Sequence, residues 1–461
     1  MRHLRSPRRR SPILLTLSAA SLLASSALAG AAPLTTQWLG YHGGTIGAGT
    51  AVGIKGFNTM TPKWSTANLD GQVYGEPLVY SHEVIVATEN NSIYALSTSN
   101  GQVLWHKHLA PAVPSNMLPC GNISPVVGIT GTPVIDPVRK EVFALVFELS
   151  AGKPVHFMFG LGLAKGALML REALSTPTSD QTTYLNRSAL ALSRGDVVYT
   201  FGGNSGDCGI YHGVVGEVPE SGPGRGASYV VDSAPGQREG AVWMGGAAPA
   251  VDAAGNVWVT SGNGSVTTAA QPYDHSDAVL ELTPSMKLKD FFAPSNWYRD
   301  NAADADLASE PALMGNDLAV ATGKSGRIYL LRAHHLGGIG GQIMTIDSGC
   351  GDVLDGGVAI RGRVLYLPCM SGTEAAIVTP SPAHIKILWH ASVGSGPPIM
   401  AGVRVWSIGS DGVLYGLNPT SGAVMQQVSL GQEANHFPTP SVGAGLLLAP
   451  LAQGVVAFAA S

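Results

Sequence analysis

Residues 74–105 read YGEPLVYSHEVIVATENNSIYALSTSNGQVLW, and this stretch decides the fold. Pro77 to Tyr80 is a short apolar run. Val84 to Thr88 is rich in β-branched residues and follows a polar turn, and Ile93 to Leu96 follows the turn Glu89-Asn90-Asn91. Asn100-Gly101 is a hairpin turn that leads into Gln102–Trp105. Four antiparallel strands in so few residues form one meander, which has two apolar faces and nothing of its own to cover them.

The same grammar recurs. A small or proline residue, an apolar run, a turn and a Val-rich strand begin near Pro77, Pro133, Ala189, Pro249, Pro311, Val358, Pro398 and Pro440, at intervals of about 40 to 60 residues. Pro397 to Gly422, PPIMAGVRVWSIGSDGVLYGLNPTSG, closely copies the first unit, whereas Thr439 to Phe458 stops after three strands. Thr61–Ser65 can supply the missing fourth strand, because Trp64 matches Trp105. The expectation is all-β: an eight-bladed β-propeller of four-stranded antiparallel blades, closed by an N-terminal strand. A seven-bladed ring is the alternative, because the third unit, Asn186 to Glu217, is divergent. Val218–Gly240 and Gly264–Ser276 read as surface inserts, and Ala302–Ala308 carries local helical propensity.

Composition agrees with this reading. Only 13% of residues are charged, while 59 Gly and 30 Pro suit short strands and many turns rather than helices. A net charge of −4 gives no electrostatic case for nucleic acid. Arg2, Arg5, Arg8, Arg9 and Arg10 precede an uncharged stretch, Ser11 to Leu28, that ends at Ala27-Leu28-Ala29. Residues 1–29 are therefore expected to be a signal peptide, or an anchor if uncleaved, by a general or a twin-arginine route. An N-terminal extension, 30–56, and a single propeller domain, 57–461, follow. No later stretch suits a membrane span, so the mature chain is expected to be secreted or held in the cell envelope. Cys120, Cys208, Cys350 and Cys369 form no Cys-x-x-Cys pair, and in an exported chain they read as two disulfides. Of the three connectivities, Cys350–Cys369 and Cys120–Cys208 are preferred. The first closes a short loop and the second joins two Gly-rich connections. A metal site is the alternative, although no histidine spacing supports it.

Ala95 to Trp105, ALSTSNGQVLW, resembles the tryptophan-docking repeat of quinoprotein propellers, departing from it at Ser97 and Asn100. Gly416 to Gln426 is a weaker copy, and Trp389 ends another outer strand. The chain thus resembles the pyrroloquinoline quinone-like repeat, or quinoprotein alcohol dehydrogenase-like, family. That resemblance implies that Trp64, Trp105 and Trp389 dock neighbouring blades. Members with chemistry bind pyrroloquinoline quinone in the central funnel with Ca²⁺ or a lanthanide held by Glu, Asn and Asp. They use an Asp base and often stack the ring on a disulfide between adjacent cysteines. This chain has no Cys-Cys pair and no haem motif. Other relatives use the ring as a scaffold in envelope assembly.

In a propeller, residues leading into each inner strand and those in the turn between the second and third strands gather at one face. Here they include Tyr74, Glu76, Asn186, Arg187, Glu310, Asp355 and His436, with Asn90, Asn263, Lys324, Cys369 and Asp411. The carboxylates with Asn186 or Asn263 suit a hard cation. Arg187 and Lys324 suit quinone carboxylates or another anion, and Asp355 suits a general base. The competing reading is that these charges pair across a wet channel and hold the blades in register. Gly323-Lys324-Ser325-Gly326 echoes a phosphate loop but lies in a hairpin with no helix after it. The preferred function is a binding or scaffolding module with a protein or small-molecule ligand at the funnel. The alternative is a pyrroloquinoline quinone- and metal-dependent dehydrogenase of alcohols or polyols.

Overall fold

The computed structural model describes residues 1, 37–66, 68–222, 224, 226–351 and 354–461. The expected signal segment, apart from Met1, lies outside the described residues. Eight sheets of four or five strands follow one another along the chain, antiparallel except where Thr50–Ala51 and Gly338–Ile339 each add a parallel strand. Blade 1 consists of Leu78–Tyr80, Glu83–Thr88, Ser92–Ser97 and Val103–His108, in that order from the axis outward. The inner strands of blades 2 to 8 begin at Val134, Ala191, Ala250, Ala312, Ala359, Ile399 and Ser441. The third unit is a full blade, so the ring has eight blades.

Blade 1 shows a steep burial gradient. Glu83–Thr88 and Ser92–Ser97 are buried almost throughout because both their faces pack on neighbouring blades, whereas Val103–His108 is largely exposed. Fully buried residues such as Val84, Ile93, Leu96, Leu447 and Val455 join blades 8, 1 and 2 into one continuous core. Each such side chain contributes about 1.5–3 kcal/mol on burial.

Closure is made by Trp64–Thr66, which pairs antiparallel with Gly454–Ala459 and supplies the outer strand of blade 8. Three tryptophans make the same contact at different blade junctions. The indole N–H groups of Trp64, Trp105 and Trp389 donate to the carbonyls of Thr98, Leu163 and Pro419 at 3.0, 2.6 and 3.1 Å. Each ring lies on a glycine of the next blade with positive φ. A Cβ at Gly101, Gly166 or Gly422 would come within 2.7–2.8 Å, or 2.6 Å for Gly422, of the neighbouring residues that include the Trp64, Trp105 or Trp389 ring. A side chain there would push the blades apart.

The segment ahead of the closing strand runs through the ring. Trp38 exchanges backbone hydrogen bonds with Val79 of blade 1, and the carbonyls of Leu39, Thr45, Ala48 and Gly49 accept from Ile135, Val251, Ile360 and Met400. Those four partners lie on the inner strands of blades 2, 4, 6 and 7. Residues 38–49 therefore fill part of the axial channel from within.

Three expectations are corrected. Val218–Gly240 is not wholly an insert, because Ser228–Val230 is the outer strand of blade 3. Gly264–Ser276 is exposed over residues 267–272, as a surface loop would be, but it does not lie between blades and its ends are buried. It belongs to the turn between the second and third strands of blade 4, and Val266, Asp274 and Ser276 are buried. Asn301 pins it, accepting from the Gly264 N–H at 2.9 Å and donating to the Val266 carbonyl at 2.7 Å. The helix near Ala302 is Trp297–Ala302, and it stops where the alanine-rich window begins, because Asp304 takes positive φ. Cys120 pairs with Cys208 and Cys350 with Cys369, at Cα separations of 5.9 and 6.4 Å. No helix among the described residues is long and apolar enough to cross a membrane.

Trp64→Ala should lower stability by about 3–5 kcal/mol in urea unfolding, through lost burial at the closing junction. It should also expose the N-terminal strand to limited proteolysis. A loss below about 1 kcal/mol would show that closure does not depend on this ring.

Candidate ligand funnel

The turns between second and third strands and the segments before inner strands converge on one face, as propeller geometry requires. They line two adjoining cavities of about 310 and 670 Å³, which share Ser205, Lys324, His436 and Phe437. Of the residues expected there, Arg187, Lys324, His436 and Asn263 line the first cavity, and Asp355 and Cys369 line the second.

Glu76 and Glu310 have a different setting. Both are buried below the funnel against residues 38–49. Glu76 accepts from the Trp38 indole at 3.0 Å and from the His42 backbone N–H at 2.8 Å. A Cβ at Gly47 would fall on the Glu310 carboxylate, so only glycine lets the segment pass. Burial pushes both acids well above the usual carboxylate range, and for Glu310 the neighbouring Glu76 adds to the effect. His42, buried and stacked on Tyr41, is pushed down to about 3 by desolvation and stays neutral. Asn186 also faces inward and donates to the Thr200 carbonyl at 2.9 Å. Asn90 donates to Asp70 in the segment ahead of blade 1, and Asp411 accepts from the Tyr415 hydroxyl within its own hairpin.

In the open funnel the two cations differ. The Lys324 ammonium sits 2.8 Å from Asp304 and 2.7 Å from Asp306, over the Trp243 ring at 5.3 Å. Burial opposes its charge, but Asp306 and Asp304 outweigh burial and hold the ammonium above the usual lysine range. Asp306 is fixed further by the Asn263 backbone N–H at 2.6 Å. Arg187 has no carboxylate within ion-pair distance among the described residues. Its guanidinium donates to the His436 carbonyl at 2.7 Å and lies near the rings of Tyr74 and Phe437, at 5.6 and 5.2 Å. Burial pulls the guanidinium below the usual arginine range, with Glu89, Tyr41 and Tyr74 opposing.

Asp304, Asp306, Trp243 and Phe437 are funnel residues that the sequence reading missed. Asp304-Ala-Asp306 lay inside the window read as helical. A usable signal existed, since it precedes the inner strand of blade 5 as Arg187 precedes that of blade 3. Asp355 has one buried oxygen, Oδ1, without a hydrogen-bond partner. Burial pushes its carboxyl up to about 8, with Lys324 opposing and Asp306 and Asp304 reinforcing.

That shift makes Asp355 destabilising when charged. The folded chain keeps a proton that the unfolded chain releases near the ordinary value of 3.8, so stability falls as pH rises from there to about 8. Asp355→Asn should match wild type near pH 4 and exceed it by a few kcal/mol at pH 8.5 in urea unfolding, the full effect being softened because one edge lines the cavity. A difference independent of pH would contradict this.

Residues 56–208 match a family model described as outer membrane protein assembly factor BamB. No curated protein matches the chain by sequence. Among solved structures, quinohemoprotein alcohol dehydrogenase from Comamonas testosteroni superposes with a TM-score of 0.66 at 13% identity, covering 94% of this chain and 81% of that one. A europium-containing methanol dehydrogenase gives 0.65 at 14%, covering 90% and 89%. BamB from Moraxella catarrhalis gives 0.57 at 14%, covering 86% and 98%. At these identities the superpositions speak for fold. The chain is thus an eight-bladed β-propeller that shares its fold with these quinoprotein and BamB structures, and its residues 56–208 match the BamB family model.

Proposed function

We propose that the chain is an exported binding or scaffolding propeller of the cell envelope or extracellular space. Its funnel takes an anionic group of a protein or small-molecule partner. The observation that carries this reading is the division of charge at the funnel. Lys324 is committed to Asp304 and Asp306, while Arg187 makes no ion pair among the described residues, feels the buried Glu89 only through space, and lies near the rings of Tyr74 and Phe437. A desolvated guanidinium flanked by aromatic faces suits a carboxylate or phosphate on a partner. The Arg-rich, uncharged-run N-terminus and two disulfides support export.

The residues present do not fit the quinone's metal partner. A hard cation needs several oxygen ligands turned toward one point. Asp304 and Asp306 hold an ammonium instead, Asp207 accepts the Tyr211 hydroxyl at 2.6 Å, and Glu76 and Glu310 are covered by residues 38–49. Asp355, pushed up to about 8, holds its proton at neutral pH and is a poor base there.

The test is reconstitution of the folded mature chain with pyrroloquinoline quinone and Ca²⁺ or Eu³⁺, followed by dye-linked oxidation of alcohols and polyols. No saturable quinone uptake and no turnover are expected. Turnover lost in both Asp355→Ala and Glu310→Ala would replace this reading with the dehydrogenase. In parallel, an acidic peptide carrying a fluorophore should bind with an affinity that falls about tenfold in Arg187→Gln. An unchanged affinity would remove Arg187 from the ligand surface.

A further inference from the structure

Blade 6 carries a further cluster of side chains at the rim of the larger cavity. Cys369 ends the strand Val364–Cys369, Glu374 lies on Gly372–Pro380, and His390 lies on Ala383–Ala391. The register places Glu374 directly opposite His390, so their side chains leave the same face of the sheet. Cys350 arrives from the loop ahead of the blade. The two sulfurs and a ring nitrogen of His390 all lie within 4.8 Å of one another, and Cys350 Sγ is 3.7 Å from Glu374 Oε2. Cys369 and Glu374 are fully buried, and His390 Nδ1 is buried without a hydrogen-bond partner.

We propose that reduction of the Cys350–Cys369 disulfide converts this cluster into a binding site for zinc or a similar thiophilic divalent cation. Two thiolates and one imidazole are the donors, with the Glu374 carboxylate as the fourth. Zinc takes sulfur at about 2.3 Å and nitrogen at about 2.0 Å in tetrahedral geometry, so once the S–S bond is broken the two sulfurs need only part to about 3.8 Å, and the His390 ring nitrogen already lies within 4.8 Å of both. Small side-chain rotations therefore suffice, and the Cα separation of 6.4 Å need not change. The chemistry balances. A dithiol reductant delivers two electrons and two protons, the S–S bond breaks to two thiols, and the reductant leaves as its own disulfide. Zinc then displaces the two thiol protons to solvent. The Cys120–Cys208 bridge has no comparable group of donors among the described residues, so the two disulfides are not equivalent. The linear spacing conceals the site, because strand pairing alone brings His390 to the cysteines.

The full mature chain, oxidised or treated with a phosphine reductant, would be titrated with Co²⁺. The reduced chain should take up one equivalent, with a thiolate-to-cobalt charge-transfer band and tetrahedral ligand-field bands, while the oxidised chain shows neither. Cys350→Ser with Cys369→Ser should abolish the bands, and His390→Ala should weaken binding about tenfold or more. Cys120→Ser with Cys208→Ser should leave the bands in place. Should reduction loosen the fold, Zn²⁺ protection from iodoacetamide provides a second readout. Cys350 and Cys369 should be shielded while Cys120 and Cys208 are alkylated in the same sample. Bands that survive loss of both rim cysteines, or equal alkylation of all four cysteines with and without Zn²⁺, would overturn the proposal.

Discussion

The pairing of Trp64–Thr66 with Gly454–Ala459 is the contact on which the ring depends. A blade of this kind has two apolar faces, and an open row of blades would leave one exposed at each end. Closure turns those two faces toward each other, so the end blades acquire the same environment as the rest. The Trp64 indole, seated on Gly101 and bonded to the Thr98 carbonyl, repeats at this junction the contact that Trp105 and Trp389 make at theirs. The termini are thereby joined through a sheet, and everything at the axis takes its position from that ring.

The axis is divided by chemistry. Its lower part is occupied by residues 38–49, whose backbone hydrogen-bonds to inner strands around the ring and whose Trp38 and His42 meet Glu76. Two acids there are buried, and desolvation favours their neutral forms. The upper part is open, aromatic and charged, with Lys324 ion-paired to Asp304 and Asp306 and Arg187 in no ion pair among the described residues. The same inner-strand register therefore produces a dry, self-filled segment and a wet funnel, according to whether the chain's own N-terminus reaches that depth. This division is why carboxylates that line up in sequence as funnel candidates do not act together in space.

Much of the blade pattern was legible in residues 74–105 because strand period, turn chemistry and repeat spacing are local properties. The truncated last unit and Trp64 even pointed to the closing strand. Legibility ended where packing decides. Ala302–Ala308 has helical composition, but Trp297–Ala302 forms the helix and the segment beyond it delivers Asp304 and Asp306 to Lys324. Gly264–Ser276 is polar and exposed at its tip, as a surface loop would be, yet Asn301 holds its start inward by satisfying the Gly264 and Val266 backbone groups. The third blade lost its outer strand in the sequence reading because Ser228–Val230 is short and lies between turn-rich segments.

By itself, the sequence determined the architecture: a meander that cannot cover its own faces, repeated until eight copies close, with cysteines spaced for two bridges. These follow from nearest-neighbour chemistry along the chain, where periodicity and turn residues carry the information. Only the tertiary structure decided which candidates share a site. It set Glu76 and Glu310 against the chain's own N-terminal segment, left Arg187 outside any ion pair among the described residues and brought His390 to Cys350 and Cys369. The reason is that charge pairing and ligand geometry depend on distances of a few ångströms between residues remote in sequence. Those distances are settled by strand register and ring closure, not by spacing along the chain.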